Sequence, residues 1–151
     1  MTRLLIIIIA LTFTGLHTVA AQTLTRAADA DSIEVAAARY ERTQLPASLR
    51  IVFEARTRTA HGWAATRTAK QGSRLAAILG ARLGALGCET APPCTPMNGD
   101  LGIAIQPPKI HGDSAEVTIE IHMNGPGSET YGLVKEGKSW HVTGLISRSA
   151  S

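Results

Sequence analysis

From residue 101 onward the chain alternates apolar and polar positions with a period of two, the mark of strands that bury one face. LGIAI (101–105) puts Leu101, Ile103 and Ile105 on one side. SAEVTIEIHM (114–123) puts Ala115, Val117, Ile119, Ile121 and Met123 on one side and Glu116, Thr118, Glu120 and His122 on the other. TYGLVKE (130–136) and SWHVTGLI (139–146) follow, joined by Gly137-Lys138, a two-residue hairpin turn. That turn pairs Lys135 with Trp140, Leu133 with Val142 and Tyr131 with Gly144, while a loop at 124–128 sets Ile119 near Leu133 and Ile121 near Tyr131. These pairings all keep apolar residues on one face, so the last three strands are expected to form an antiparallel meander. A tight turn at Gly112-Asp113 pairs Ile110 with Ala115, but counting back by twos from Ile110 misses Ile105 and Ile103. Pro107-Pro108 lies between, and a bulge or bend that curves the sheet is expected there.

The earlier half mixes periods. Ile33, Ala36, Ala37 and Tyr40 recur at helical spacing, with Asp31 or Ser32 as cap, Glu34 at the positive end of the dipole and Pro46 as the stop. In SLRIVFEART (48–57), Leu49, Ile51, Phe53 and Ala55 alternate with Arg50, Val52, Glu54 and Arg56, which predicts a strand at the sheet edge whose basic outer face discourages aggregation. Residues 59–66 read as a loop. Thr68 to Gln71 fits a capping box, weakened by Gly72. A second helix is then expected to run to about Leu86, with Leu75, Ile78, Leu79, Leu83 and Leu86 on one face, Gly80 and Gly84 allowing close packing on the sheet, and Gly87 as a left-handed stop. The expected fold class is α+β: two helices packed on a curved, mainly antiparallel sheet of about five strands, as one domain over residues 31–148 after a flexible stretch at 22–30.

The first residues follow a different logic. Arg3 precedes an apolar run from Leu4 to Leu16, which ends in Val19-Ala20-Ala21 before Gln22. The run is short for a membrane span of about 20 residues, and the small residues suit a cleavage site, so 1–21 read as a secretory signal peptide. Localisation is then periplasmic or extracellular, with no stable membrane span after cleavage. Charge is uneven in what remains. Residues 48–82 hold seven basic groups against Glu54 alone, and residues 83–151 hold four basic and seven acidic groups. Arg50, Arg56, Arg58, Arg67 and Lys70 could form a basic surface for polyanions or anionic membranes, or could pair internally with the acidic half. Export and the few aromatic residues argue against nucleic acid as partner.

The run Gly112-Asp113-x-Ala115-x-Val117 and the hairpin Tyr131-x-Leu133-x-Lys135-x-Gly137-Lys138-x-Trp140-x-Val142 resemble the C-terminal meander of the nuclear-transport-factor-2-like superfamily. The resemblance covers residues 101–147 and implies a cone-shaped α+β domain whose bent sheet wraps around helices. That superfamily holds isomerases, dehydratases and many non-catalytic binding domains. The single short helix before the first strand departs from it. The whole pattern also resembles small secreted bacterial proteins.

Candidate chemistry is sparse. Glu120 and His122 share a face with His141, but the expected pairings keep them apart, on the side away from the apolar face, where solvent is expected. His61-Gly62-Trp63 lies in a loop, where Trp63 either binds a ligand or plugs the core. Trp63, Tyr131 and Trp140 are the candidate binding residues. No catalytic residue, metal site or cofactor is assigned; hydrolase, zinc-protease and phosphate-loop motifs do not occur. The leading expectation is non-catalytic binding of a small apolar ligand or an envelope partner; an apolar cavity between the second helix and the sheet would favour the small molecule. The alternatives are a small enzyme of the isomerase or dehydratase type, which needs an inward-facing acid or histidine, and a polyanion binder. The two cysteines, Cys88 and Cys94 in GCETAPPCTP, are too widely spaced for a C-x-x-C redox motif and lack nearby histidines for zinc. In an oxidising compartment they are expected to form a disulfide that staples the exit of the second helix. Non-reducing peptide mapping of the exported protein should recover Cys88 and Cys94 in one linked fragment; two free thiols would overturn the pairing.

Overall fold

The run Ile51-Val52-Phe53-Glu54 is buried at every position, which a strand with one solvated face cannot be. In the computed structural model, which describes residues 25–86, 99–123 and 125–150, this strand, β1 (Ile51–Glu54), lies inside a mixed sheet with a parallel neighbour on each side. The expected sheet edge is therefore an interior strand. Its outer residues Val52 and Glu54 are covered, and a second cluster of Val52, Leu86 and Ala104, with Trp63 against it, forms on that side.

The chain falls into two compact units, residues 1–30 and 31–151. In the first, residues 25–30 are helical, as their alanine content favours. Residues 1–21, where a signal peptide is expected, and the loop that holds Cys88 and Cys94 lie outside the described residues. The second unit opens with α1, residues 31–44. The other elements are β2 (Thr57–Thr59), β3 (Gly62–Ala64), α2 (Ala69–Leu79), β4 (Arg82–Leu83), β5 (Leu101–Ile105), β6 (Lys109–His111), β7 (Ser114–His122), β8 (Pro126–Glu136) and β9 (Ser139–Ala150). The main sheet has seven strands in the order β4-β1-β5-β7-β8-β9, with β6 also on β7; β2 and β3 form a separate hairpin. The class is α+β, with more strands than the alternation alone indicates. The hairpin and the two-residue β4 are too short to show a period.

Helix α2 is shorter than expected. Thr68 and Gln71 do form the reciprocal capping box, but the helix ends at Leu79. Gly80 takes the left-handed conformation (φ 65°), and its N–H and that of Ala81 return to the carbonyls of Ala77 and Ala76, a stop that favours glycine. Gly84 then passes so close to β1 that a Cβ would stand 2.9 Å from Val52 Cγ1. Leu75 and Leu79 enter the core, whereas Leu83 is 48% exposed and Leu86 joins the cluster on the other side.

Strands β7 and β8 keep their faces but shift their register, and β9 changes faces beyond Val142. Ile110 pairs with Ala115, and β5 and β6 separate at Pro107-Pro108 to occupy different stretches of β7, as expected. The turn at Gly137-Lys138 pairs Lys135 with Trp140, Leu133 with Val142 and Val134 with His141. Tyr131, however, lies opposite Leu145, because register shifts between Gly132 and Leu133 and between Thr130 and Tyr131 admit extra residues in β9. Such bulges bend and twist a strand pair. Between β7 and β8, Ile119 faces Glu129 and Ile121 faces Gly127 instead of Leu133 and Tyr131. The pairing runs almost to the loop, down to His122 with Pro126. The core is Ile33, Val35, Ala37 and Ala38 of α1 with Leu75, Ala76 and Leu79 of α2, laid on Phe53, Ile103, Ile105, Val117, Ile119, Leu133 and their neighbours.

One polar group ties these layers together. The Arg67 side chain is only 3% exposed, so it belongs to the interior and not to a basic surface. Its Nε and Nη2 donate to the two oxygens of Glu34, each at 2.8 Å. Further bonds from Nη1 and Nη2 reach the carbonyls of Ala55, just past β1, and Ile105, at the end of β5. Removing one member of a buried pair leaves an uncompensated charge and costs about 3–5 kcal/mol. Arg67→Met should therefore lose about that much in urea unfolding, and adding Glu34→Leu should recover part of it. A single-variant loss under about 1 kcal/mol, the range of an exposed pair, would sink this assignment.

Candidate functional site

Seven residues after Glu34, α1 presents Glu41 on nearly the same side, since seven residues are close to two full turns. Glu41 also continues the stripe Ile33–Ala37 at steps of four. It is 2% exposed. Opposite it, β8 aims Glu129, Tyr131 and Leu133 at alternate positions toward the same interior. Tyr40, Glu41, Gln44, Leu45, Ile121, Glu129, Tyr131, Leu145 and Arg148 surround a cavity of about 350 Å³ between the end of α1 and β7–β9. A second, more open depression of about 300 Å³ shares Ile121, Glu129 and Arg148 with it and runs on to Met123 and Ala150. The cavity lies at α1 and not at the second helix, because α2 fills its own contact with Leu75, Ala76 and Leu79, whereas α1 ends in the larger and more polar Tyr40, Glu41 and Gln44.

The hydrogen bonding is unusual for one phenol. Tyr131 Oη stands 2.9 Å from Glu41 Oε2 and is also in contact with Glu129 Oε2. A phenol has one proton and can donate to only one of two carboxylates. The second contact is a hydrogen bond only when that carboxyl carries its own proton. Arg148 Nη2, 2.6 Å from Glu129 Oε1, pairs directly with Glu129, and its charge also acts on Glu41, though as the weakest of the influences there. Burial pushes the Glu41 carboxyl above its usual range; its bond to Tyr131 opposes this, and the Glu129 charge adds to it. Burial likewise raises Tyr131, and the bond to Glu129 and the Glu41 charge raise it further, so it stays a neutral phenol. With one proton, Tyr131 Oη donates to Glu41 Oε2 or to Glu129 Oε2, and the two carboxylates compete for it. Tyr40 packs edge-on against Tyr131, ring centroids 5.2 Å apart at 68°.

The candidate binding residues fall in three places. Tyr131 lines the cavity. Trp140 is buried in the core beside Lys135, whose ammonium lies 5.7 Å from its ring centroid. Trp63 sits on β3 on the far side of the sheet, against Val52, Leu86 and Ala104, with the Arg58 guanidinium 5.6 Å from its ring centroid. That far side is not simply solvated. His122 is 1% exposed with Nε2 3.4 Å from Glu120 Oε2, and Gln106 donates to Glu120 at 2.8 Å. Arg58, Glu120 and His122 line a recess of about 170 Å³, while His141 stands apart near Glu136. Among the described residues, no three His, Cys, Asp or Glu side chains gather as a metal-binding set.

The basic residues mostly meet acids. Arg50 and Arg82 both bind Asp100 (3.0 and 3.1 Å), Arg56 binds Glu54 (2.9 Å) and Arg74 binds Asp31 (2.6 Å). With Arg67 internal and Arg50 and Arg56 paired, Arg58 and Lys70 remain of the expected basic surface. Burial works to raise Glu54, but its bonds from the Arg56 side chain, the Arg56 N–H and the Leu86 N–H outweigh that and hold it below its usual value.

Glu41 and Glu129 escape a reading of the sequence alone. Glu129 lies one step back along the alternation of TYGLVKE, and Glu41 one step on from Ile33–Ala37. A glutamate at either place looks like the polar end of its element until the other closes over it. The fold and site define an α+β domain with a small acid- and tyrosine-lined pocket. No family model, curated protein or solved structure matches the chain.

The two displaced carboxyls set opposite pH trends. Glu41 holds its proton more tightly folded than unfolded, so its contribution is full below the ordinary value of 4.5 and declines as pH rises through the raised value. Glu54, displaced downward, contributes above its ordinary value and loses it as pH falls. In urea titrations, Glu41→Gln should gain on the wild type as pH rises above 4.5, and Glu54→Gln should lose on it as pH rises toward 4.5 from below, with no further change above. A Glu41→Gln curve parallel to the wild type throughout would count against the upward displacement of Glu41.

Proposed function

We propose that the protein is exported and binds a small molecule, without chemistry, in the pocket between α1 and β7–β9. The observation that carries this reading is the meeting of Glu41, Tyr131 and Glu129 on one wall of a cavity between α1 and β7–β9. Convergent polar groups in a recess are the mark of a ligand site, and the cavity's size falls in the range of small-molecule sites. Leu45, Ile121 and Leu145 supply apolar wall, and the tyrosine and two glutamates supply orientation. Export is supported by the pattern of residues 1–21 and is compatible with the cysteine pair. Among the described residues, no helix is long and apolar enough to cross a membrane.

A second reading is an acid–base enzyme of the cone-shaped type that the meander resembles. It is favoured by the inward-facing Glu41 with its raised pKa, coupled to a neighbouring phenol and a second carboxylate. The polyanion reading is weakened by the ion pairs that occupy most of its arginines.

Native mass spectrometry of the protein recovered from its own envelope tests the main reading. The wild type should carry a small molecule that Leu145→Trp, which narrows the cavity from its exposed rim, does not retain, while both unfold within about 0.5 kcal/mol of each other. Equal retention by the two proteins would place the ligand elsewhere. Turnover of the carried molecule that disappears in Glu41→Gln would favour the enzyme instead.

A further inference from the structure

We propose that the pocket takes a small organic cation, a protonated amine, whose ammonium group lies against Glu41 and Tyr131. This rests on the pocket assigned above and adds the charge class of the ligand and a linkage to pH. Four charged or titratable side chains face Glu41: Tyr40 from its own helix, Glu129 and Tyr131 from β8, and Arg148 from β9; β7 contributes only Ile121. When Glu41 is ionised, this set holds two carboxylates and one guanidinium. The guanidinium is committed to Glu129, from a side chain that is itself mostly solvent-exposed at the rim. The carboxylates then exceed the guanidinium by one charge, and a single phenolic proton cannot serve both of them.

An ammonium group answers both deficits. It brings the missing charge, and its several N–H donors can reach Glu41 Oε1 and the Tyr131 oxygen together. The Tyr40 and Tyr131 rings, edge-on at 68°, give the cation aromatic walls of the kind that attract ammonium groups. Leu45, Ile121 and Leu145 remain for an apolar substituent. An anionic ligand meets the opposite situation: it would have to take Arg148 from Glu129 and settle beside two acids. Because the cation prefers ionised Glu41, its binding should expel the Glu41 proton, and its affinity should rise with pH until Glu41 is fully ionised.

The test compares benzylamine, benzyl alcohol and benzoate, which share a ring and differ in charge, by their effect on the methyl NMR signals of Leu45, Ile121 and Leu145. Benzylamine should shift these signals and saturate, with affinity rising about tenfold per pH unit below the Glu41 titration and then levelling. Calorimetry in two buffers of different ionisation enthalpy should show proton release on binding. Glu41→Gln should weaken benzylamine at least tenfold and leave the response to benzyl alcohol unchanged. Should that variant fold poorly, the wild-type pH profile and proton release decide alone. Benzyl alcohol or benzoate binding as tightly as benzylamine would overturn the cation while leaving a small-molecule pocket. Benzylamine binding that ignores pH and releases no proton would also overturn it. Silence from all three compounds would remove the pocket reading along with the inference.

Discussion

The bidentate pair between Glu34 and Arg67 is the constraint on which the rest of this structure turns. An apolar helix face can rotate by tens of degrees against a sheet and still bury its side chains, because hydrophobic contact is non-directional. A guanidinium fork cannot: both of its bonds to Glu34 are kept only in one orientation. Arg67 is fixed in turn by the carbonyls of Ala55 and Ile105, so α1 is registered to the ends of β1 and β5. Two helical turns further on, that same rotation brings Glu41 to Tyr131. The pocket is thus aimed by an interaction at the opposite end of the helix.

Around that strut the layers serve unequal purposes. Helix α2 and the inner face of β1, β5 and β7 pack Leu75, Leu79, Phe53, Ile103 and Ile119 into one continuous core. The acid-lined cavity opens where α1 ends and where the β8–β9 pairing is interrupted. The register shifts at Gly132 and Thr130 lie beside Tyr131 and bring Leu145 opposite it. Bulges of this kind re-aim side chains next to binding sites in many sheets. Here they coincide with the strand that carries both Glu129 and Tyr131.

Much of the fold is legible in the alternation of residues, and the departures from it have a common form. The inner face of β7 and β8 is the expected one even though the two strands pair in a register four residues from the expected one, with Ile119 against Glu129 and not Leu133. An even slip preserves which side each residue faces, so the alternation cannot detect it. The place of β1 is hidden for a related reason: IVFE carries one charge, and a charge reads as solvent until Arg56 and the N–H of Leu86 are seen to bind it. The basic segment looks like a surface because Glu34, Asp31 and Asp100, which neutralise much of it, lie outside it in the sequence.

The amino-acid sequence by itself determined the α+β class, the faces of β7 and β8, the turns at Gly112 and Gly137 and the cap of α2, because each follows from local periodicity or from the conformational preference of a few adjacent residues. Tertiary structure alone decided the place of β1 in the sheet, the interior role of Arg67 and the meeting of Glu41, Tyr131 and Glu129. Those outcomes depend on which charged group finds a partner across 33 or 90 residues of chain. Desolvation and pairing are set by what surrounds a side chain, and no local pattern encodes its surroundings.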